Sequence, residues 1–184
     1  MQLISVNVGR PREVEWKGHS VVTSIFKTAV DGAVDVSATN VDGDEQSDLT
    51  VHGGRNKAVY GYPSEHYDFW KRELGVAALP WAAFGENLTT EGLLEDSLRV
   101  GDRIRVGTVE LEVTQPRFPC FKLGFRFRRD DMVKRFAKSG RSGFYFSVVN
   151  AGRLQAGDRI DVIARSAGGV TIAEQFLERF RKGA

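Results

Sequence analysis

Cys120 is the one cysteine of the chain, and it lies within Gln115-Pro116-Arg117-Phe118-Pro119-Cys120-Phe121-Lys122-Leu123, a stretch stiffened by two prolines. Arg117 and Lys122 bracket the thiol. Nearby positive charge lowers a thiol's pKa below its free value of about 8.5, and the thiolate binds metals or attacks electrophiles. A proline-restrained loop has less entropy left to lose when a ligand arrives, which makes it a good mount. The same surroundings suit a thiol used as a small apolar filler between Phe118 and Phe121. Residue types alone leave both readings open.

A second stretch with chemical promise is His52-Gly53-Gly54-Arg55-Asn56-Lys57. Paired glycines let successive N–H groups turn to one side and form an anion nest, to which Arg55 and Lys57 add charge. A Gly-Gly hairpin with solvated basic side chains fits equally well. The glycine patterns of phosphate-cradling nucleotide folds are absent, so a nucleotide fold is disfavoured. The histidines His19, His52 and His66 form no closely spaced set with the single cysteine, which argues against structural zinc. Of the three, His52 abuts the glycine pair and could donate to a phosphate or a cofactor heteroatom, whereas His66 reads as a packed or surface residue. In Gly85-Glu86-Asn87, the Asn87 amide could read a heterocycle edge, and Glu86 or Glu91 could act as general bases; a plain loop is the alternative.

The elements that must position these residues are mostly strands: short runs rich in Val, Ile, Thr and aromatics, separated by Gly or Asp turns. Residues 21–28 and 32–36 frame a turn at Asp31-Gly32, and 49–52 and 58–62 flank Gly53-Gly54. Val100-Gly101-Asp102-Arg103-Ile104 and Ala156-Gly157-Asp158-Arg159-Ile160 resemble each other, each a tight turn feeding an alternating strand, as small barrels require. Three helices are predicted. One has Pro63 in its first turn, Tyr67, Trp70 and Leu74 on one face, and Gly75 as its stop. Another is capped by Asp130, carries Val133 and Phe136 and ends before Gly140. The last opens on a Thr171/Glu174 capping box, with Ile172, Phe176, Leu177 and Phe180 on one side, facing either its own chain or a partner. The basic run Arg126, Arg128, Arg129, Lys134 and Arg135 reads as a solvated face, with a phosphate-binding role as the other option.

At 184 residues the chain is long enough for one compact domain, expected over 1–165, with a small helical appendage over 166–184. Lys and Arg total 26 against 24 for Asp and Glu, so no broad nucleic-acid footprint is expected. No apolar run approaches the roughly 18 to 20 residues of a membrane helix. The first residues read as a strand rather than a signal peptide, and one cysteine suits a reducing compartment, so a cytoplasmic location is expected, as a monomer or small homo-oligomer.

The ordered set of Lys27 with Val30-Asp31-Gly32, Asp42-Gly43-Asp44 through Gln46, Asp48 and Leu49, Val51-His52-Gly53-Gly54, Lys57-Ala58-Val59-Tyr60, Tyr62-Pro63, Phe84-Gly85-Glu86-Asn87-Leu88, Val100-Gly101-Asp102, and Gln115-Pro116-Arg117 with Pro119-Cys120 resembles the MOSC family. This is the domain named after the C-terminal part of molybdenum cofactor sulfurases, and the likeness is to its YiiM-like bacterial branch. The resemblance implies a mainly β (α+β) fold, a distorted closed β-barrel with a short C-terminal helix. It also implies that Cys120 is the metal ligand and catalytic residue for a molybdenum cofactor (molybdopterin). Onto Lys27, His52, Gly53, Arg55, Lys57, Asn87 and Arg117 it maps contacts to the pterin and its phosphate. The implied activity is reduction of N-hydroxylated bases and related N-oxygenated compounds, with electrons from external electron-transfer proteins. Two other functions stand beside it: a non-catalytic cofactor or persulfide sulfur carrier, and a barrel binding pyridoxal phosphate or another anion through Lys57 or Lys122. YiiM-like proteins commonly continue into a bundle of several C-terminal helices, whereas one helix is expected here.

Overall fold

In the computed structural model, residues 1–47 and 54–182 are described, and they form twelve strands and four helices. The strands are β1 (Gln2–Val8), β2 (Arg12–Trp16), β3 (His19–Thr23), β4 (Thr28–Ala29), β5 (Val34–Val36), β6 (Val59–Pro63), β7 (Leu88–Glu91), β8 (Arg103–Val106), β9 (Val109–Pro116), β10 (Phe144–Asn150), β11 (Gly152–Leu154) and β12 (Ile160–Ala164). The helices are α1 (His66–Leu74), α2 (Lys122–Phe127), α3 (Met132–Ser139) and α4 (Ile172–Lys182).

Eight strands form one sheet in the order β12-β8-β9-β10-β6-β7-β1-β4, antiparallel throughout except for the parallel β6–β7 pair. The expected closed barrel is not confirmed, because no continuous ladder closes this sheet among the described residues. Its two margins do meet. Leu3 N–H donates to the Asp158 carbonyl at 2.9 Å, Gly157 N–H to the Leu3 carbonyl at 2.7 Å and Ile160 N–H to the Met1 carbonyl at 2.9 Å. These bonds satisfy the edges locally, where a one-residue bridge at Gln2 and Arg159 replaces a ladder.

The two Gly-Asp segments lie side by side as neighbours, for β8 pairs antiparallel with β12. Each aspartate closes its own turn: Asp102 accepts the Arg99 N–H at 3.0 Å and Asp158 the Gln155 N–H at 2.9 Å, both three residues back. The glycine before each aspartate has positive φ, +86° at Gly101 and +93° at Gly157, a conformation that other L residues rarely adopt. Strand β8 then alternates, Arg103 and Arg105 outward, Ile104 and Val106 buried, as a one-faced strand must.

Gly32, in the expected turn at Asp31-Gly32, has positive φ, but the segments on either side of it do not pair with each other. Strand β4 pairs with β1, while β5 pairs with β11. Residues 49–53, including the expected strand before the glycine pair, lie outside the described residues.

Two apolar clusters hold the fold. One fills the sheet interior with Leu3, Val59, Leu88, Leu111, Phe144, Phe146 and Ile160. Gly61 sits against it because an added Cβ would lie 2.7 Å from the Phe144 ring. The other is aromatic and packs α1 and α3 onto β6 through Tyr62, Tyr67, Trp70, Phe84 and Phe136. Burying a large side chain of this kind contributes roughly 2 to 3 kcal/mol. The buried Trp70 Nε1–H is met by the Tyr62 hydroxyl at 2.6 Å, so its burial strands no donor.

The helix forecasts hold with shifted starts. Pro63 ends β6 instead of opening α1, which begins at His66 and stops at Gly75 in the left-handed region. Asp131, not Asp130, precedes α3. Its carboxylate is held by Arg129 at 3.0 Å and Arg135 at 2.7 Å, and Asp130 pairs with Lys17, so neither side chain caps the helix. The Thr171/Glu174 capping box is present in full. Glu174 N–H donates to Thr171 Oγ1 at 3.1 Å, and Thr171 N–H donates to Glu174 Oε2 at 2.8 Å. Helix α4 packs on its own chain, with Ile172 in the sheet cluster and Phe176 stacked on Phe118 at 5.5 Å. Helix α2, directly after Cys120, was not foreseen, because its six residues are too few to show a helical period.

Candidate functional site

Cys120 opens onto a cleft built where β9 ends and β6 and β10 begin, beside the loop that follows β5. The cleft is open to solvent, and its empty volume of about 680 Å³ includes the mouth. Of the residues singled out by sequence, Lys27, Lys57, Asn87, Arg117 and Cys120 all line it. Arg55 does not. It is exposed in the single 3-10 turn Arg55–Lys57, while Lys57, two residues on, reaches the cleft. His52 and Gly53 lie outside the described residues. Sequence reasoning did not single out Tyr60, Tyr145 or Asp44 as site residues, although Asp44 and Tyr60 fall inside motifs that carry the family likeness.

Asp44 anchors one wall. It is 3 % exposed and accepts from Gly9 N–H at 2.8 Å, from Asn87 Nδ2 at 2.8 Å and from Lys27 Nζ. Burial pulls the Lys27 pKa down from its ordinary value, and the charge of Asp44 opposes that shift. Buried pairs of this kind are strongly destabilising to break, because the partner is left as an uncompensated charge. Asn87 is committed to the framework. Its Nδ2 also donates to the Asn7 carbonyl at 3.3 Å, and its Oδ1 accepts the Tyr60 N–H at 3.1 Å. With both amide hydrogens engaged, Asn87 fixes Asp44, and through it Lys27, rather than reading a ring edge.

Glu86 is likewise structural. Its fully buried carboxylate accepts from Ala82 N–H at 3.0 Å, Phe84 N–H at 3.1 Å, Thr89 Oγ1 at 3.2 Å and the Tyr67 hydroxyl. Burial raises its pKa, yet it faces the loop it ties together and does not line the cleft, so it is not placed as a general base there.

The opposite wall is cationic. Arg117, the first residue beyond β9, is 7 % exposed, with its guanidinium 5.0 Å from the Tyr60 ring and 5.3 Å from the Phe136 ring. Its Nη1 is buried without a hydrogen-bond partner among the described residues. Burial works against its charge, but Tyr60, Tyr145 and Cys120 outweigh that and hold its pKa above the ordinary arginine value. Burial raises the pKa of Tyr60 and of Tyr145, so both keep their phenolic protons at neutral pH. The Tyr60 hydroxyl donates to the Ser142 carbonyl at 2.9 Å. Lys122, 8 % exposed, donates to Ser47 Oγ at 3.1 Å. Cys120 itself is half-buried, and its carbonyl accepts the Leu123 N–H at 3.1 Å in the first turn of α2.

The arrangement can therefore hold an anion beside a thiol. Among the described residues no three His, Cys, Asp or Glu side chains gather, so a metal bound here would take Cys120 together with ligands from a non-protein group. A sequence profile of the MOSC domain matches residues 48–161, which include Lys57, Asn87, Arg117 and Cys120. The chain belongs to the MOSC domain family. Within it, the chain sits with the YiiM-like proteins. It is similar in structure to YiiM from Geobacillus stearothermophilus, with a TM-score of 0.81 and 34% identity over 98% of this chain and 84% of that one. YflK of Bacillus subtilis strain 168 is 40% identical over 96% of this chain and 79% of its own length. A Gibberella moniliformis protein named Reductase is 36% identical over 89% of this chain, a match that spans 29% of that longer protein. The MOSC match begins after Lys27 and Asp44, so the wall those residues build comes from the segment before it. Among the described residues of this MOSC chain, no helix is long and apolar enough to cross a membrane.

Proposed function

We propose that this MOSC protein binds a molybdenum–pterin cofactor in the cleft and reduces N-hydroxylated compounds there, with electrons delivered by separate redox proteins. The observation that carries this reading is the meeting, in one cleft, of the sole thiol with Lys27, Lys57, Lys122 and the buried guanidinium of Arg117, whose Nη1 has no partner among the described residues. A buried donor left unmet is destabilising by about 1 to 3 kcal/mol, so its retention points to a ligand that meets it. The cofactor is an anion with a phosphate and sulfur donors, and the donor set fits it: a thiolate for a polarisable metal, cations for the negative groups.

Cys120 holds the metal through its sulfur. Arg117 and Lys57 hold the anionic part of the pterin. Asn87 acts by positioning, since it fixes Asp44, which in turn orients Lys27 Nζ. Tyr60 and Tyr145 supply uncharged walls that keep bulk water from the charged groups. The bound cofactor supplies two-electron oxygen-atom transfer. In the overall balance, an N-hydroxylated substrate takes two electrons and two protons, its N–O bond breaks, and the amine form and water leave.

The test is to produce the chain in cells that make the cofactor, then measure molybdenum and released pterin per chain and the reduction of an N-hydroxylated base by a chemically reduced donor. Wild type should carry both, and Cys120→Ser should retain roughly tenfold less molybdenum. A wild type without metal or pterin, or Cys120→Ser with full content and turnover, would overturn the reading. Wild type bearing one extra sulfur atom on Cys120 and showing no reductase turnover would replace it with a sulfur carrier.

A further inference from the structure

A second hollow shares Lys27 with the cleft and is otherwise lined by groups the proposed chemistry does not use, chiefly Arg12, Phe26, Leu79, Trp81 and Arg126. Its empty volume is about 980 Å³ with the mouth included. Arg12 of β2 and Arg126 of α2 both lie over the Phe26 ring, their guanidinium carbons 4.0 Å and 5.0 Å from its centre. Neither arginine has a carboxylate partner among the described residues, and Arg126 Nε is buried without a hydrogen-bond acceptor there. Lys27 is already committed to Asp44. The Glu86 carboxylate is felt by Arg126, but its oxygens are spent on Tyr67, Ala82, Phe84 and Thr89.

Arg126 feels the like charge of Arg12, and an anion that reaches both relieves that repulsion. Arginine forks match the planar oxygens of a carboxylate or a phosphate, and each presents parallel donors. Trp81 supplies the apolar side. Its ring is 39 % exposed but held edge-on against Tyr67 at 4.6 Å, a fixed flat surface.

We propose that this hollow is a binding site for a small aromatic anion, its carboxylate or phosphate between Arg12 and Arg126 and its ring against Trp81 and Leu79. The site is separate from the cofactor reading, and it can be tested on metal-free protein.

The experiment titrates the full chain with phenyl phosphate, benzoate and inorganic phosphate by calorimetry, in wild type, Arg12→Gln, Arg126→Gln and Trp81→Leu. The aromatic anions should saturate one site, with inorganic phosphate binding about fivefold more weakly for want of the ring contact. Arg12→Gln, at an exposed strand position where folding is not at stake, should raise Kd roughly tenfold. Arg126→Gln should do the same, with circular dichroism reporting its fold. Trp81→Leu should bring phenyl phosphate down toward inorganic phosphate. Binding of only one of the two aromatic anions supports the site and fixes its headgroup. No saturation by either aromatic anion, inorganic phosphate as tight as phenyl phosphate, or a Kd unmoved by Arg12→Gln would each overturn the proposal.

Discussion

The turn at Asp102 and the loop at Cys120 both lean on β9, yet they treat buried charge in opposite ways. Asp102 has no exposed surface, and its carboxylate is met by Arg99 N–H at 3.0 Å, Ser166 N–H at 2.8 Å and Arg165 Nη1 at 2.8 Å. Burial alone would push its pKa up; these donors outweigh it and hold the pKa below the ordinary carboxylate value. Just beyond the end of β9, Arg117 carries a buried charge whose Nη1 is unmet among the described residues. A polar group with every partner present stabilises the fold, while one left unmet weakens it and persists for another reason. The first region is read as framework and the second as a place for a ligand.

The largest expected effect is at the framework. Asp102→Ala removes an acceptor from two backbone N–H groups and deprives Arg165 of its carboxylate, leaving it the Ser97 carbonyl, and should cost roughly 2 to 4 kcal/mol of stability in urea unfolding. The pH dependence gives a second check. A carboxyl group whose folded pKa lies below its unfolded one stabilises the fold above the unfolded value, about 3.9, and loses that stabilisation as pH falls through the folded value. The part of the gap between wild type and Asp102→Asn that comes from this ionisation should therefore be present at neutral pH and shrink only below about pH 4. A gap that shrinks between pH 8 and 6 would assign the effect to another group.

Next in size is a change that should act the other way. Arg117→Met keeps the bulk between Tyr60 and Phe136 and removes the buried charge together with its unmet Nη1. Stability should stay level or rise by about 1 kcal/mol, while cofactor content falls about tenfold. A loss of stability comparable to that of Asp102→Ala would erase the contrast between the two regions.

Much of this was legible in the residues, and the remainder was not for identifiable reasons. The Gly-Asp repeats predicted tight turns because glycine at positive φ followed by a turn-closing aspartate is a local device, and both aspartates perform it. The capping box at Thr171 was legible for the same reason. The pairing of β4 with β1 was not, since the register of Val8 with Thr28 and Asn7 with Ala29 depends on tertiary packing that periodicity does not record. The closed barrel implied by the family likeness is not confirmed at one seam, where among the described residues β1 and residues 157–160 exchange only isolated bonds. In the cleft, Cys120, Arg117, Lys57 and Lys27 are legible from the motifs that carry the family likeness. The Asn87 amide looked available because its four hydrogen-bonding positions were unassigned; the fold assigns three of them to Asp44, Asn7 and Tyr60. Tyr145 left no trace, for it reaches the site only through the pairing of β10 with β9 and β6.

The smallest expected effect concerns α4, which touches both regions. Its start is tied to the framework by Ile172 N–H donating to the Leu98 carbonyl at 2.9 Å and by Val100 N–H donating to the Val170 carbonyl at 3.0 Å. One turn later Phe176, 1 % exposed, stacks on Phe118, two residues before Cys120. Thr171→Ala removes the capping hydroxyl and should cost about 1 kcal/mol, with Thr171→Ser restoring most of it. The loss should be confined to the first turn, because Phe176 is held by its own burial. In hydrogen exchange, protection should fall at residues 172–175 while the backbone around Phe118 and Cys120 keeps its wild-type rate. Faster exchange at Phe118 would mean that the cap holds the cysteine loop in place, and the framework and the cleft would then open as one unit.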